Sequence, residues 1–263
     1  MMLLDEPYRW AEAVANRRDY IEDQLRKGSP VVGVGYRDGS LLLTLGQGQQ
    51  KVFEVYDRIA MASIGHSTDI EKLRQAAIDM AHQIGFNYSD ADVTLQQIVH
   101  FGLGPAVKAA FDEYVRSPYL ARVLLAELDG MDGKHTFYTV DYDGAFRKTE
   151  GWGVLGGVPE ADRAMQPHLA DLDVAQLSLE AALEAALLAC AAGRFVGQQD
   201  EIPSEASEME KRVEEVDLKG VLKSELETLE VEAVVLQQSR PGKNKYRVLD
   251  QEEMAPALEA YRG

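Results

Sequence analysis

Cysteine is almost absent. Cys190 is the only one in 263 residues, so no disulfide can close within the chain and the fold is expected to be held by its core. Basic charge is scarce: 27 Lys and Arg stand against 44 Asp and Glu, a formal net charge of −17. Such a chain is a poor holder of a phosphate backbone, and no basic stripe appears, so nucleic acid is not an expected partner. No apolar run approaches the roughly 20 residues of a membrane-spanning helix, so no membrane partner is expected either. The first residues, Met1-Met2-Leu3-Leu4-Asp5-Glu6, lack the basic and long apolar regions of a secretion signal, and the expected location is the cytoplasm. Histidine is sparse and scattered: His66, His82, His100, His135 and His168 have no partner at metal-ligand spacing, so no metal or other cofactor is expected.

What is present reads as an ordered series of elements. Residues 8–27 predict a helix with Ala11, Val14, Ile21 and Leu25 near one face and Gly28 as its stop. Two apolar runs around Asp38-Gly39 predict a hairpin over 31–45, and a second strand pair follows over 51–64. Thr68-Asp69-Ile70-Glu71 reads as a capping box opening a helix that ends at Gly85. A second helix is expected over 94–115, interrupted near Gly102-Leu103-Gly104-Pro105. Strands are expected over 119–128, 136–141, 146–149 and 152–155, with turns at Asp132-Gly133 and Asp143-Gly144, then a helix over 177–192.

Residues 199–230 carry eleven acids against four bases and read as an exposed acidic helical segment, with Ser207 and Glu210 as another capping box and Met209, Val213 and Val216 as a narrow apolar stripe. Two strands and a closing helix over 250–263 complete the chain. Runs of strands alternating with pairs of helices predict an α+β fold: a four-layer αββα sandwich of two antiparallel sheets flanked by helices.

Three stretches carry a family resemblance. Residues 51–62, Lys-Val-Phe-Glu-Val-Tyr-Asp-Arg-Ile-Ala-Met-Ala leading to Gly65, resemble the segment after the second strand of proteasome α-type subunits. Residues 245–253 resemble the same family's last strand-to-helix junction, and Pro7-Tyr8 before a charged helix is similar to the start of its bacterial members. The resemblance implies the N-terminal-nucleophile hydrolase fold as one domain over 1–263. It also implies a heptameric α ring, stacked on β subunits that carry the peptidase, with ATPase activators docking by their C-terminal tails.

Active members of that fold attack with a terminal Thr whose own amine is the base. Here Ser29 stands in that place and is followed by Pro30, Leu45 stands for the acid, and Gly156-Gly157 lies where a Ser is expected. Of the set only Lys51 survives, which implies a subunit without catalysis of its own; the alternative is a self-processing peptidase using Ser29. In α subunits the Lys matching Lys51 receives an activator's terminal carboxylate, so Lys51, Gly65 and His66 are the implied docking residues. Residues 1–9 are the implied gate, with Leu3, Leu4, Tyr8 and Arg9 meeting their symmetry mates. Gly33-Val34-Gly35-Tyr36-Arg37-Asp38-Gly39 is a poor dinucleotide loop, since a hairpin follows where a helix should open. Cys190, in an Ala- and Leu-rich stretch, reads as core.

Overall fold

The computed structural model describes residues 6–113, 117–128, 135–199, 203, 206–259 and 261. A long helix comes first, α1 (Glu6–Arg26), ended by Gly28, whose N–H returns to the Leu25 carbonyl at 2.8 Å. Four strands follow, β1 (Val31–Tyr36), β2 (Gly39–Gly46), β3 (Val52–Tyr56) and β4 (Ile59–Gly65). Every residue of β1 and β2 is buried, which is why both read as unbroken apolar runs.

The helices α2 (Ser67–Asn87), α3 (Leu95–Gln97) and α4 (Gly104–Asp112) come next. Strands β5 (Ala121–Leu128), β6 (His135–Val140), β7 (Phe146–Glu150) and β8 (Trp152–Leu155) form the middle. Helices α5 (Pro159–Met165), α6 (Leu179–Gly197), α7 (Ala206–Glu215) and α8 (Leu218–Glu225) precede β9 (Glu230–Gln237), β10 (Tyr246–Val248) and α9 (Gln251–Glu259).

The strands make two five-stranded sheets, β10-β9-β2-β1-β8 and β3-β4-β5-β6-β7. All the pairings are antiparallel. Alternate residues of each strand face opposite layers. Val31 and Leu42 meet Ala62, Leu124 and Phe137 between the sheets, whereas Val32, Leu41 and Leu43 face outward onto α6 residues such as Leu183 and Leu187. On the other side α2 to α4 cover the second sheet with Leu73, Ala77, Ile98 and Val107. The result is the expected α+β four-layer sandwich.

Several local expectations are corrected. The N-cap of α2 is His66, not Thr68: the chain leaves β4 through Gly65, whose φ of +138° suits glycine, and the His66 side chain accepts from the Thr68 N–H. Glu71 instead pairs with Arg74 at 2.6 Å. The α2 helix also runs past Gly85 to Asn87. The expected break near Gly102 is a π-helical turn, Ile98–Leu103, after which Pro105 sits in the first turn of α4. The sequence reading has no counterpart of α5, and α6 runs on to Gly197.

The acidic segment holds two helices and is anchored on one face. Met209 and Val213 are buried against Ala161, Ala164 and Val196, and Leu222 of α8 is buried in the α6 layer, worth about 2 kcal/mol. Its acids Glu208, Glu210, Glu214 and Glu215 stay exposed. Ser207 falls inside α7 and does not precede it, and the expected Asp132-Gly133 turn lies outside the described residues.

Candidate functional site

The residues singled out by the sequence gather at one end of the sandwich. There β1 begins, β2 and β8 end, and Val31 stands opposite both Thr44 and Leu155. In the second sheet Gly65, the last residue of β4, stands opposite Ala121, the first of β5. Arg122 ties the two sheets together at this end, donating from Nη1 to the Gly156 carbonyl at 2.6 Å.

Ser29 is buried, 6% exposed, directly behind the end of α1. The next carbonyl, that of Pro30, accepts from Thr44 Oγ1 at 2.7 Å and from Cys190 Sγ at 3.7 Å. Burial pushes the Cys190 thiol up to about 12, so it stays protonated, as a core residue should. Leu45 is fully buried in the core facing α6 and offers no carboxylate.

Gly157 has a steric reason to be glycine. A Cβ there would stand 2.6 Å from the Arg26 carbonyl oxygen and closer still to that of Leu25. Gly197 of α6 approaches the same Arg26 oxygen, where a Cβ would again be at 2.6 Å. The last turn of α1 therefore lies in a slot walled by two glycines, in contact with the position where active members of the fold need a Ser.

Lys51 is half-buried. Its backbone N–H donates to the Glu232 carboxylate at 2.9 Å, as does Val52 at 2.8 Å. Its ammonium donates to the Leu45 carbonyl at 3.2 Å. Burial lowers the Lys51 pKa, and the Glu232 charge works against that shift. Burial raises the Glu232 pKa, against the two backbone N–H donors.

Gly65 and His66 line a separate cavity of about 190 Å³ together with Gln24, Leu25, Gly28, Ile64 and Leu120. The structure thus brings Gly65 and His66 into one cavity, whose lining does not include Lys51. The Lys51 carbonyl meets the Ser63 hydroxyl at 3.4 Å, two residues before Gly65, and its ammonium turns toward β2. The gate residues Leu3 and Leu4 lie outside the described residues. Tyr8 and Arg9 fall in the first turns of α1, and their side chains lie outside the described residues too.

The sequence reading missed one cluster. Arg122, 5% exposed, donates from Nη2 to Asp162 at 2.7 Å and to Asp141 at 3.1 Å, and its Nε lies 3.1 Å from Asp141 as well. Asp162 also accepts from the Gly156 N–H. The two carboxylates raise the Arg122 pKa further, so it is permanently charged. The one available signal was a lone charge in an otherwise apolar run, Ala121-Arg122-Val123-Leu124-Leu125. Among the described residues no group of His, Cys, Asp and Glu is arranged to hold a metal ion, and no helix is long and apolar enough to cross a membrane.

A family model described as proteasome subunit matches residues 25–195. The "Proteasome subunit alpha" of Acidothermus cellulolyticus is 29% identical over 178 residues, 67% of this chain and 74% of that relative. The protein of the same name from Paenarthrobacter aurescens is 27% identical over 207 residues, 75% of this chain and 81% of its own length. A Nocardioides relative, also named "Proteasome subunit alpha", is 28% identical over 151 residues, and this chain spans only 59% of its length. The matched residues include the last two residues of α1, all eight strands of the first two runs and most of α6. The chain belongs to the proteasome subunit family, on its α-type, bacterial side.

Proposed function

We propose that the chain is a non-catalytic α subunit of a proteasome core particle, forming a heptameric outer ring over catalytic β subunits and serving protein degradation. The observation that carries this reading is the seat of α1. The peptide ahead of Ser29 is continuous with a helix packed into the Gly157–Gly197 slot, and no carboxylate stands at Leu45 to position Lys51. A fold of this kind with its would-be nucleophile internal has no free amine to act as base.

Lys51 supports a docking role. Among the described residues its ammonium makes one hydrogen bond, to a carbonyl, which leaves donors for an activator's terminal carboxylate. Gly65 and His66, at the same end of the sandwich, line a cavity that a tail could enter. Exposed aromatics on the α2 to α4 side, Phe86 at 91% and Phe101 at 75%, suit burial against the β ring. Residues 1–9, with Leu3, Leu4, Tyr8 and Arg9, are the gate of this reading, and the cytoplasm is its compartment.

The test is the native and denatured mass of the chain, alone and co-expressed with a β subunit. The expected result is an untrimmed chain in a ring-sized complex. A chain trimmed to Ser29, or one that hydrolyses a fluorogenic peptide by itself, overturns it in favour of a self-processing peptidase. In the assembled particle, Lys51→Ala is expected to leave the ring intact and abolish stimulation by an activator tail. Undiminished stimulation removes the docking assignment alone.

A further inference from the structure

The acidic helices have no role in the reading above, and they lie beyond the residues matched by the family. One side chain joins them to the end of α1. Arg194, in the last turn of α6, donates from Nη1 to the Lys27 carbonyl at 2.9 Å. The other edge of the same guanidinium grips Glu225 of α8, with Nε and Nη2 each 2.7 Å from its carboxylate oxygen. Gln198 donates to the second Glu225 oxygen at 2.6 Å. The Arg194 and Glu225 side chains are 15% and 11% exposed, so this ion pair is poorly screened. A planar guanidinium held along one edge has little freedom at the other, and Arg194 is thereby aimed at Lys27.

We propose that α8 clamps the end of α1 through Arg194, and that this clamp protects the Lys27–Gly28 peptide from proteolysis. The Lys27 side chain is exposed, so the residue a trypsin-like protease recognises is on offer. The carbonyl that such a protease must attack is held by Arg194 itself. On either side of it the Leu25 carbonyl accepts from the Gly28 N–H and the Arg26 carbonyl lies against Gly197. Cleavage needs the segment to open locally and extend, so its rate follows the population of the opened form. Arg194 is a positioning residue in this account, and Glu225 acts on α1 only through it. The inference does not depend on ring formation or gating.

Limited trypsin digestion of the full chain, read by intact mass, is the test. Release of residues 1–27 is expected to be slow for the parent chain. It should be about tenfold faster in Arg194→Ala and about threefold faster in Glu225→Gln, whose site does not touch α1. The exchanged pair, Arg194→Glu with Glu225→Arg, separates a clamp from general stabilisation. It restores the attraction between α6 and α8 but leaves no donor at position 194 for the Lys27 carbonyl, so melting temperature is expected to recover while the cut at Lys27 stays fast. An unchanged rate at Lys27–Gly28 in folded Arg194→Ala overturns the proposal, as does a return to the parent rate in the exchanged pair. If Arg194→Ala does not fold, Glu225→Gln decides: faster release sustains the clamp and parental release overturns it.

Discussion

Two cations stand at the same end of the sandwich and are used differently. Arg122 is enclosed, with Asp141, Asp162 and the Gly156 carbonyl taking its donors. Lys51, two strands away in the same sheet, is half-buried and gives its ammonium to one carbonyl. Coulomb attraction to two close carboxylates outweighs desolvation for Arg122, whose pKa rises although burial alone lowers it. At Lys51 desolvation wins, and the pKa falls. The first charge closes the gap between the two sheets. The second makes a single hydrogen bond among the described residues. Position in the fold is nearly the same; the number of built-in partners separates a structural cation from a candidate binding one.

Breaking the two cations should show that difference at full size. Arg122→Met leaves the half-buried Asp162 and Asp141 without their partner and is expected to cost about 3 kcal/mol in chemical denaturation of the chain. Adding Asp162→Leu to it should recover part of that loss, because an apolar pair no longer strands a charge. Lys51→Met should shift stability by no more than about 1 kcal/mol. Equal losses at the two positions would mean that Lys51 is also a structural ion and would weaken its docking role.

The glycine slot gives a smaller and more local break. Gly157→Ser places a side chain against the Arg26 and Leu25 carbonyls, which are backbone and cannot swing aside. The expected cost is about 1–3 kcal/mol, with hydrogen exchange rising over the last turn of α1 before it rises in β1. Gly46→Ala is the control, since its nearest neighbour would be at an ordinary 3.6 Å. If Gly157→Ser matched the control, the requirement for glycine would lie elsewhere than in the seat of α1.

The sandwich itself was legible because its signals are local. Asp38-Gly39 and Asp143-Gly144 mark turns, and the strands they separate pair in register. The Arg122 cluster was not legible because its partners come from the end of β6 and from α5, 19 and 40 residues away. Helix α5 was missed because a seven-residue, proline-led helix gives too short a period to read. In 199–230 the stripe of Met209, Val213 and Val216 was visible, but composition says nothing of what a stripe packs against. Ser29, Leu45 and Lys51 became candidates through family resemblance, and the seat of α1 became visible only when Gly157 and Gly197 met Arg26 in space.

The mildest break is pH. His135 is half-buried, with Nδ1 3.1 Å from Ser40 Oγ, and burial lowers its pKa; burial does the same at His168. In the unfolded chain both titrate near the usual value of about 6.5. Below that pH the unfolded state binds protons that the folded state resists, so stability is fully present above about 6.5 and is lost as pH falls through the lower folded values. Glu232, raised by burial, works with the opposite sign in a lower window, where carboxylates titrate. Melting temperature is therefore expected to be flat from pH 8 to 7 and to drop by a few degrees toward pH 5.5. His135→Gln combined with His168→Gln should flatten that slope while leaving the Arg122 cluster untouched. A slope that survives the double change would place the acid sensitivity elsewhere than on these two half-buried histidines.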